Sequence, residues 1–179
     1  MLKLNFMSKV LLFSILFVLP AFFSLAQSSE ALDEKNGFQD ILMLSSARNN
    51  KKLEFKKDLD HEKVPLRQVQ YYEAAKGEYE SIGTVKIKSL EVWAYQDQVF
   101  QIRVLTEQDT DLYKGLRQLF GKPDYSIRED LYYWSGNKVR LSYRAESKSR
   151  LELIYFSQLL DDILKQEKKE EINSIADDF

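Results

Sequence analysis

Few side chains in this sequence are of the kinds that carry out catalysis. There is no cysteine and His61 is the one histidine, so neither a Cys–His pair nor a zinc site built from several imidazoles can form. His61 lies in the charged sequence LDHEK, which is typical of a surface histidine. The glycines are scattered, and no glycine-rich loop of the phosphate-binding type is present.

Acidic residues are the remaining candidates for chemistry. Two adjacent pairs, Asp161-Asp162 and Asp177-Asp178, lie in or near a predicted polar helix. Neighbouring side chains on a helix point about 100° apart, so neither pair forms a cation site alone. Nothing in the sequence singles out two of the 28 acidic residues for a carboxylate-based hydrolase. We therefore expect a protein that is not an enzyme and that holds no metal or cofactor.

Aromatic placement is more informative. In the alternating stretch from Val85 to Thr106, the side chains of Trp93, Tyr95, Val99 and Arg103 fall on the face opposite the apolar one. These four are the candidate binding residues, because an exposed aromatic surface can bind a protein, a peptide or a glycan. The alternative is that a second layer, either the N-terminal segment or the C-terminal helix, covers them.

The same stretch predicts a β-hairpin. A three-residue loop, Gln96-Asp97-Gln98, brings six apolar side chains to one face, whereas a two-residue loop would split them. The predicted pairs are Ala94 with Phe100, Val92 with Ile102, and Leu90 with Val104. Upstream, Val85 and Ile87 have the opposite parity, which predicts a bulge near Lys88-Ser89.

The sequence DTDLYKGLRQLFGKPD predicts a helix. Asp109 to Asp111 offer N-cap oxygens, and Gly121 followed by Pro123 ends the helix. Its predicted apolar stripe is Leu112, Leu116, Leu119 and Phe120. Gly115 inside the helix indicates a close approach to the sheet.

Three further strands form a predicted meander. The turns are Gly136-Asn137 and a second turn near Glu146 to Lys148. They pair Trp134 with Val139, Tyr132 with Leu141, Tyr143 with Leu151, and Leu141 with Leu153. Both turns place the same side chains on one inner face: Tyr132, Trp134, Val139, Leu141, Tyr143, Leu151, Leu153 and Tyr155.

Residues 38–80 give a mixed signal. ILMLSS and KLEFKKDL can pair as two strands across Ala47 to Asn50, or Phe38, Ile41 and Leu42 can form a helical turn. The stretch VPLRQVQYYEAAKGEY has poor apolar spacing, and we expect an irregular segment. The predicted fold is therefore α+β. It has an antiparallel sheet of about five strands, a helix packed on the apolar face, one domain over residues 38–157 and a charged C-terminal helix over 158–179.

The N-terminus predicts export. Lys3 and Lys9 precede an apolar run from Val10 to Leu25, and Ser24 and Ala26 are the small residues that precede a signal-peptidase cut. We expect residues 1–26 to be removed and 27–37 to form a flexible leader. The alternative is an uncleaved anchor. Because Gln27 is not cysteine, a lipoprotein-type acyl anchor is excluded, and we expect a periplasmic or secreted protein with no stable membrane anchor.

Charge excludes another class of partner. Residues 1–26 contain two lysines and no acid, so the remaining 153 residues carry 24 basic and 28 acidic side chains, a net charge of −4. The two signs are interspersed without a basic stripe, so nucleic acid is not an expected partner.

Four short patterns resemble a group of small exported bacterial proteins with no assigned activity. They are Gly37-Phe38, Tyr79-x-x-Ile82-Gly83, the YYW of Tyr132 to Trp134, and the closing Ala176-Asp177-Asp178. The resemblance implies a secreted single domain and no particular activity. We expect a binding or scaffolding protein that contacts an envelope protein or peptide through its sheet surface. The alternatives are a carboxylate-based hydrolase and a carrier of a small apolar ligand.

Overall fold

The computed structural model describes residues 30–59 and 69–177. His61 and the predicted leader up to residue 29 lie outside this part of the chain. Three helices are present in it: α1 over 30–35, α2 over Thr110–Phe120 and α3 over Gln158–Asp177. The strands are β1 Gly37–Phe38, β2 Ile41–Leu42, β3 Leu53–Leu59, β4 Val69–Ala74, β5 Ser81–Ile82, β6 Val85–Tyr95, β7 Gln98–Glu107, β8 Asp124–Ser126, β9 Leu131–Ser135, β10 Val139–Ser147 and β11 Arg150–Ser157.

One large antiparallel sheet dominates the fold. Its strand order is β3-β4-β6-β7-β11-β10-β9-β8, and β5 pairs with β6 to make nine strands; β1 and β2 form a separate small sheet. The predicted five-strand α+β fold is therefore wrong. The stretch KLEFKKDL, one of the two possible strands, is observed as β3. Strand β4 was missed and lies in the stretch expected to be irregular, because it buries Val69 on one face and Tyr72 on the other and so lacks a simple alternation.

Both faces of the sheet carry packed apolar side chains. On the inner face, which bears Val92, Ile102 and Leu153, the main core includes residues of the N-terminal segment and of α2. The outer face bears Trp93 and Tyr95, and a smaller cluster there includes Leu160 of α3. A sheet that is covered on both faces hides more apolar surface than its strand sequences alone suggest.

The β6–β7 hairpin combines predicted and unpredicted features. The pairs Leu90–Val104 and Val92–Ile102 and the bulge at Lys88 are confirmed. The three-residue loop is wrong: Gln96 and Asp97 form a two-residue turn with positive φ at both positions. A second bulge at Phe100 restores the register and pairs Ala94 with Val99 instead of Phe100.

The meander β9-β10-β11 is confirmed as a set of antiparallel strands, but its two registers are wrong by two residues. Trp134 pairs with Leu141 rather than Val139, and Tyr143 pairs with Leu153 rather than Leu151. A shift of two keeps every side chain on its face, so the predicted inner-face set persists. In the second turn, Glu146 is a bulge, and Lys148 and Ser149 form a two-residue connection. The predicted turn lay slightly earlier, near Glu146 to Lys148.

Asp33 explains the first of these shifts. Its carboxylate accepts hydrogen bonds from the backbone N–H groups of Asn137, Lys138 and Val139, at 2.7, 2.8 and 3.2 Å. These amides therefore face α1 instead of β9. A Cβ atom at Gly136 would lie 2.2 Å from the Asp33 carboxylate, so this contact requires glycine.

The N-terminal segment is folded against the sheet, including the described part of the predicted 27–37 leader. Leu32 of α1 is fully buried in the main core. Farther along, Ser46 and the backbone N–H of Arg48 donate hydrogen bonds to the Asp97 carboxylate in the β6–β7 turn. Neither predicted arrangement of residues 38–60 is observed, because β3 pairs with β4 and β2 pairs with β1.

Helix α2 is confirmed, including the Asp109 N-cap and the end at Gly121, whose φ is 77°. Leu112, Leu116 and Phe120 are buried, whereas Leu119 is 48% exposed and does not belong to the stripe. The predicted close approach at Gly115 is also wrong, since a Cβ atom there would have no neighbour within 4 Å.

Replacing Asp33 tests the link between α1 and the β9–β10 turn. We expect Asp33→Ala to lower the free energy of unfolding by about 1–3 kcal/mol, because three backbone N–H groups lose an ionised acceptor. Urea denaturation measures the change. Glu34→Ala is the control, since this neighbour on α1 is exposed. Equal stabilities of the two variants would contradict the assigned role of Asp33.

Candidate functional site

The four predicted binding residues do not form one exposed surface. Trp93 is partly buried, Tyr95 is 9% exposed, and Arg103 is held in ion pairs. Val99 was predicted on the outer face, but it is fully buried in the main core. The bulge at Phe100 is the reason, because it reverses the parity of Val99.

A covering layer explains the burial of Tyr95. Leu160 at the start of α3, which is 2% exposed, belongs to the same apolar cluster as Tyr95, and Leu44 of the N-terminal segment packs against this cluster. The two segments that we considered as possible covers therefore both contribute. Trp93 is partly buried against this cluster and packs its ring against Tyr71, with the centroids 5.4 Å apart.

Beside Trp93, four charged side chains form a row across the outer face. Arg103 pairs with Glu91 at 3.2 Å and also with Glu152, which in turn pairs with Arg144 at 2.5 Å. The register places Glu91 opposite Arg103 and Arg144 opposite Glu152. Glu152 is only 2% exposed, so this row ties four strands together around a buried carboxylate.

Two opposing effects set the pKa of Glu152. Burial by itself raises the pKa of the carboxyl group, but the hydrogen bonds and charges of Arg103 and Arg144 outweigh it and hold the pKa below its ordinary value. Glu152 is therefore ionised at neutral pH. Its two arginine partners are occupied by structural ion pairs, which leaves Arg103 poorly suited to the binding role predicted for it.

An acidic cleft of about 640 Å³ lies where β4 separates from β6. Its lining includes Glu73 and Glu91, which are opposite each other in the register. Both carboxylates already have partners: Glu91 pairs with Arg103, and Glu73 accepts a hydrogen bond from the Tyr71 hydroxyl at 2.9 Å. Neither acid is set apart as a general acid or base by this arrangement.

A different aromatic group reaches the surface, and we call it the tyrosine surface: Tyr113, Tyr125, Tyr132 and Tyr143. Tyr125 and Tyr132 are exposed, whereas Tyr113 and Tyr143 are partly buried against the main core. Their ring centroids form a connected chain, with Tyr125–Tyr132 at 5.0 Å, Tyr132–Tyr113 at 5.3 Å and Tyr113–Tyr143 at 5.4 Å. Tyr125 is 49% exposed and Tyr132 is 39% exposed. A contiguous aromatic group with two exposed rings is the kind of feature that marks a binding surface.

The tyrosine surface is built by α2 and three strands on the inner face. Tyr132 lies opposite Tyr125 and Tyr143 in the registers of β8, β9 and β10. Tyr113 projects from α2, whose end is fixed to the sheet because the Trp134 indole donates a hydrogen bond to the Gly121 carbonyl at 2.9 Å. The main core therefore continues into this surface without a break.

The sequence contained part of this signal. Alternation predicts that Tyr132 and Tyr143 share a face, and helical spacing places Tyr113 beside Leu116. Tyr125 lies in a three-residue strand that no periodicity reveals. Its contact with Tyr132 depends on the pairing of β8 with β9.

Comparison with known proteins assigns no family. No protein-family model matches the chain, and no curated protein or solved structure matches it with significance. The resemblance to small exported bacterial proteins therefore stays a prediction. In residues 30–59 and 69–177, no helix is long and apolar enough to cross a membrane. In the same residues, no group of three or more His, Cys, Asp or Glu side chains is placed to hold a metal ion.

Glu152→Gln tests whether the buried carboxylate organises the row of charges. We expect it to lower the free energy of unfolding at pH 7 by about 2–4 kcal/mol, because Arg103 and Arg144 lose their shared partner. Since the native pKa lies below the unfolded value, this contribution is present above the unfolded pKa and is lost as pH falls through the native pKa. The gap in stability between the two proteins should therefore begin to close below about pH 4.3, the ordinary pKa of Glu, and vanish only below the native pKa of Glu152.

Urea denaturation between neutral and acid pH measures this convergence. Glu107→Gln is the control, because Glu107 forms an ion pair with Lys88 at the surface and is half exposed. We expect the control to stay close to the original protein in stability. A gap between the Glu152 variant and the original protein that stays constant at every pH would contradict the assignment.

Proposed function

We propose that this protein is a non-catalytic binding protein that takes up an extended segment of a partner polypeptide along β8. The tyrosine surface provides the main side-chain contacts. The observation that carries the proposal is the connected chain of four tyrosine rings next to a sheet edge, with Tyr125 and Tyr132 strongly exposed.

The free edge of β8 is the reason to propose a polypeptide as the partner. Strand β8 is three residues long and pairs only with β9 among the described strands. The other edge of β8 therefore offers backbone N–H and C=O groups to an added strand. Strand addition of this kind takes its affinity from main-chain hydrogen bonds and its specificity from alternate side chains.

The tyrosines suit this task energetically. Tyrosine presents a large contact area and loses little conformational entropy on binding, because it has few rotatable bonds. The rings of Tyr113, Tyr125 and Tyr132 already contact each other, which restricts them further before a partner arrives. Ile127, which follows β8 and is 87% exposed, adds apolar area beside the edge.

Export is part of the proposal. The apolar N-terminal run and the small residues at Ser24 and Ala26 support cleavage after Ala26, which would place the protein in the periplasm or outside the cell. The partner is then an envelope protein or peptide. We expect intact-mass measurement of the exported protein to give a chain that begins at Gln27; a chain that begins at Met1 would contradict export with cleavage.

Peptide binding tests the role of β8. We expect a displayed peptide library to yield extended, apolar peptides, with amide resonances shifting over Asp124–Ser126 on binding. Tyr125→Ser and Tyr132→Ser should each weaken the affinity about tenfold or more, because buried tyrosines often dominate interface energies. Fluorescence anisotropy with a labelled peptide measures the affinity.

Phe55→Ser is the matched control. Phe55 is an aromatic residue of similar exposure, 52%, on the opposite edge strand β3. We expect this variant to bind the selected peptides like the original protein. Failure to select any peptide, or an equal loss of affinity in the Phe55 and Tyr125 variants, would overturn the proposed function.

A further inference from the structure

A second concave site lies on the outer face, opposite the tyrosine surface. It is a cavity of about 580 Å³ between the β8–β10 strands and the start of α3. Its lining includes Tyr133, Arg140, Phe156, Gln158, Asp162 and Lys165. This volume is in the range of sites that bind small molecules, and the lining combines two aromatic rings with a few polar groups, as such sites do.

Arg140 is held in a defined position in this cavity. Its guanidinium lies 4.5 Å from the centroid of the Tyr133 ring, in cation–π contact. Its Nη2 donates a hydrogen bond to Glu129 Oε2 at 3.3 Å. These two contacts fix the plane of the guanidinium before any ligand arrives.

One buried donor of Arg140 has no acceptor among the described residues. This donor is the Nε atom. Nε–H lies beside Nη2 on one edge of the guanidinium, and such an edge binds a carboxylate through two parallel hydrogen bonds. Glu129 accepts a hydrogen bond from Nη2 and is itself half exposed. A buried donor without an acceptor is costly, so a ligand that moves a neighbouring group aside and engages Nε gains that free energy.

The charge and the apolar lining of the cavity indicate which class of ligand it binds. Asp162 and Lys165 lie 3.7 Å apart and offset each other, so the named lining side chains carry one net positive charge, on Arg140. Phe156 and the Tyr133 ring offer apolar contact area. We infer that this cavity binds a small carboxylate with an apolar body, through the Nε and Nη2 edge of Arg140 and the ring of Phe156.

In this arrangement Glu129 is a competitor. Its carboxylate holds the Nη2 donor that the ligand needs, so the ligand displaces Glu129 from Arg140. The site goes beyond the proposed peptide-binding function, because it lies on the opposite face of the sheet and involves none of the four tyrosines. Either function can fail without the other.

Phenylacetate is a suitable probe, and phenylacetamide is its neutral counterpart of nearly the same shape. We expect phenylacetate to give saturable amide shifts around Tyr133, Arg140 and Phe156 at concentrations up to about 20 mM, which is usual for so small a ligand. Phenylacetamide should bind at least about tenfold more weakly, because it lacks the negative charge that pairs with the Arg140 guanidinium.

Two variants have opposite expected effects. Arg140→Gln should weaken phenylacetate binding about tenfold or more, whereas Glu129→Gln should tighten it about threefold, because the competing carboxylate is gone. Glu129 is half exposed, so its variant keeps the fold and remains informative even if the Arg140 variant loses stability. The dispersion of the amide spectrum reports folding in each case.

The inference is overturned by any of three results. The first is that phenylacetate does not exceed phenylacetamide in affinity. The second is that the Glu129 variant binds phenylacetate no more tightly than the original protein, and the third is that no saturable shifts arise at the cavity. Each result shows that the Arg140 guanidinium does not bind a ligand carboxylate in this cavity.

Discussion

Three backbone amides in the β9–β10 turn donate hydrogen bonds to the Asp33 carboxylate, and these bonds join α1 to the sheet. They place α1 over the main core, where Leu32 is fully buried, and they set the register of β9 against β10. The same turn holds α3, because the Lys138 carbonyl accepts the Gln158 N–H at 2.8 Å. Helix α1 and the start of α3 are therefore anchored at one turn of the sheet.

That turn also positions both proposed sites. Strands β9 and β10 direct Tyr132 and Tyr143 to the inner face and Tyr133 and Arg140 to the outer face. The period of two in a strand makes this division unavoidable once the register is set. One end of the sheet thus presents exposed aromatic rings on one face and a polar cavity on the other. The outer face of the middle strands, from β6 to β10, carries the packing around Tyr95 and the charged row centred on Glu152.

Prediction from sequence succeeded where the local pattern was decisive. The α2 helix has a cap, an apolar stripe and a glycine stop within the same dozen residues, and the bulge at Lys88 follows from a visible change in parity. The candidate site was harder, because the predicted outer position of Val99 was overturned by a bulge at Phe100 that leaves no mark in the sequence. Burial of Tyr95 depended on Leu160, which is 65 residues away along the chain.

The sequence by itself determined which side chains of the meander share a strand face, where α2 begins and ends, and which common catalytic residue pairs are lacking. It did so because these properties depend on neighbours within a few residues. Only the tertiary structure decided the number of strands in the sheet, the two shifted registers and the exposure of each aromatic ring. Those properties depend on contacts such as Asp33 with Asn137 and Tyr125 with Tyr132, whose partners meet only after the chain has folded.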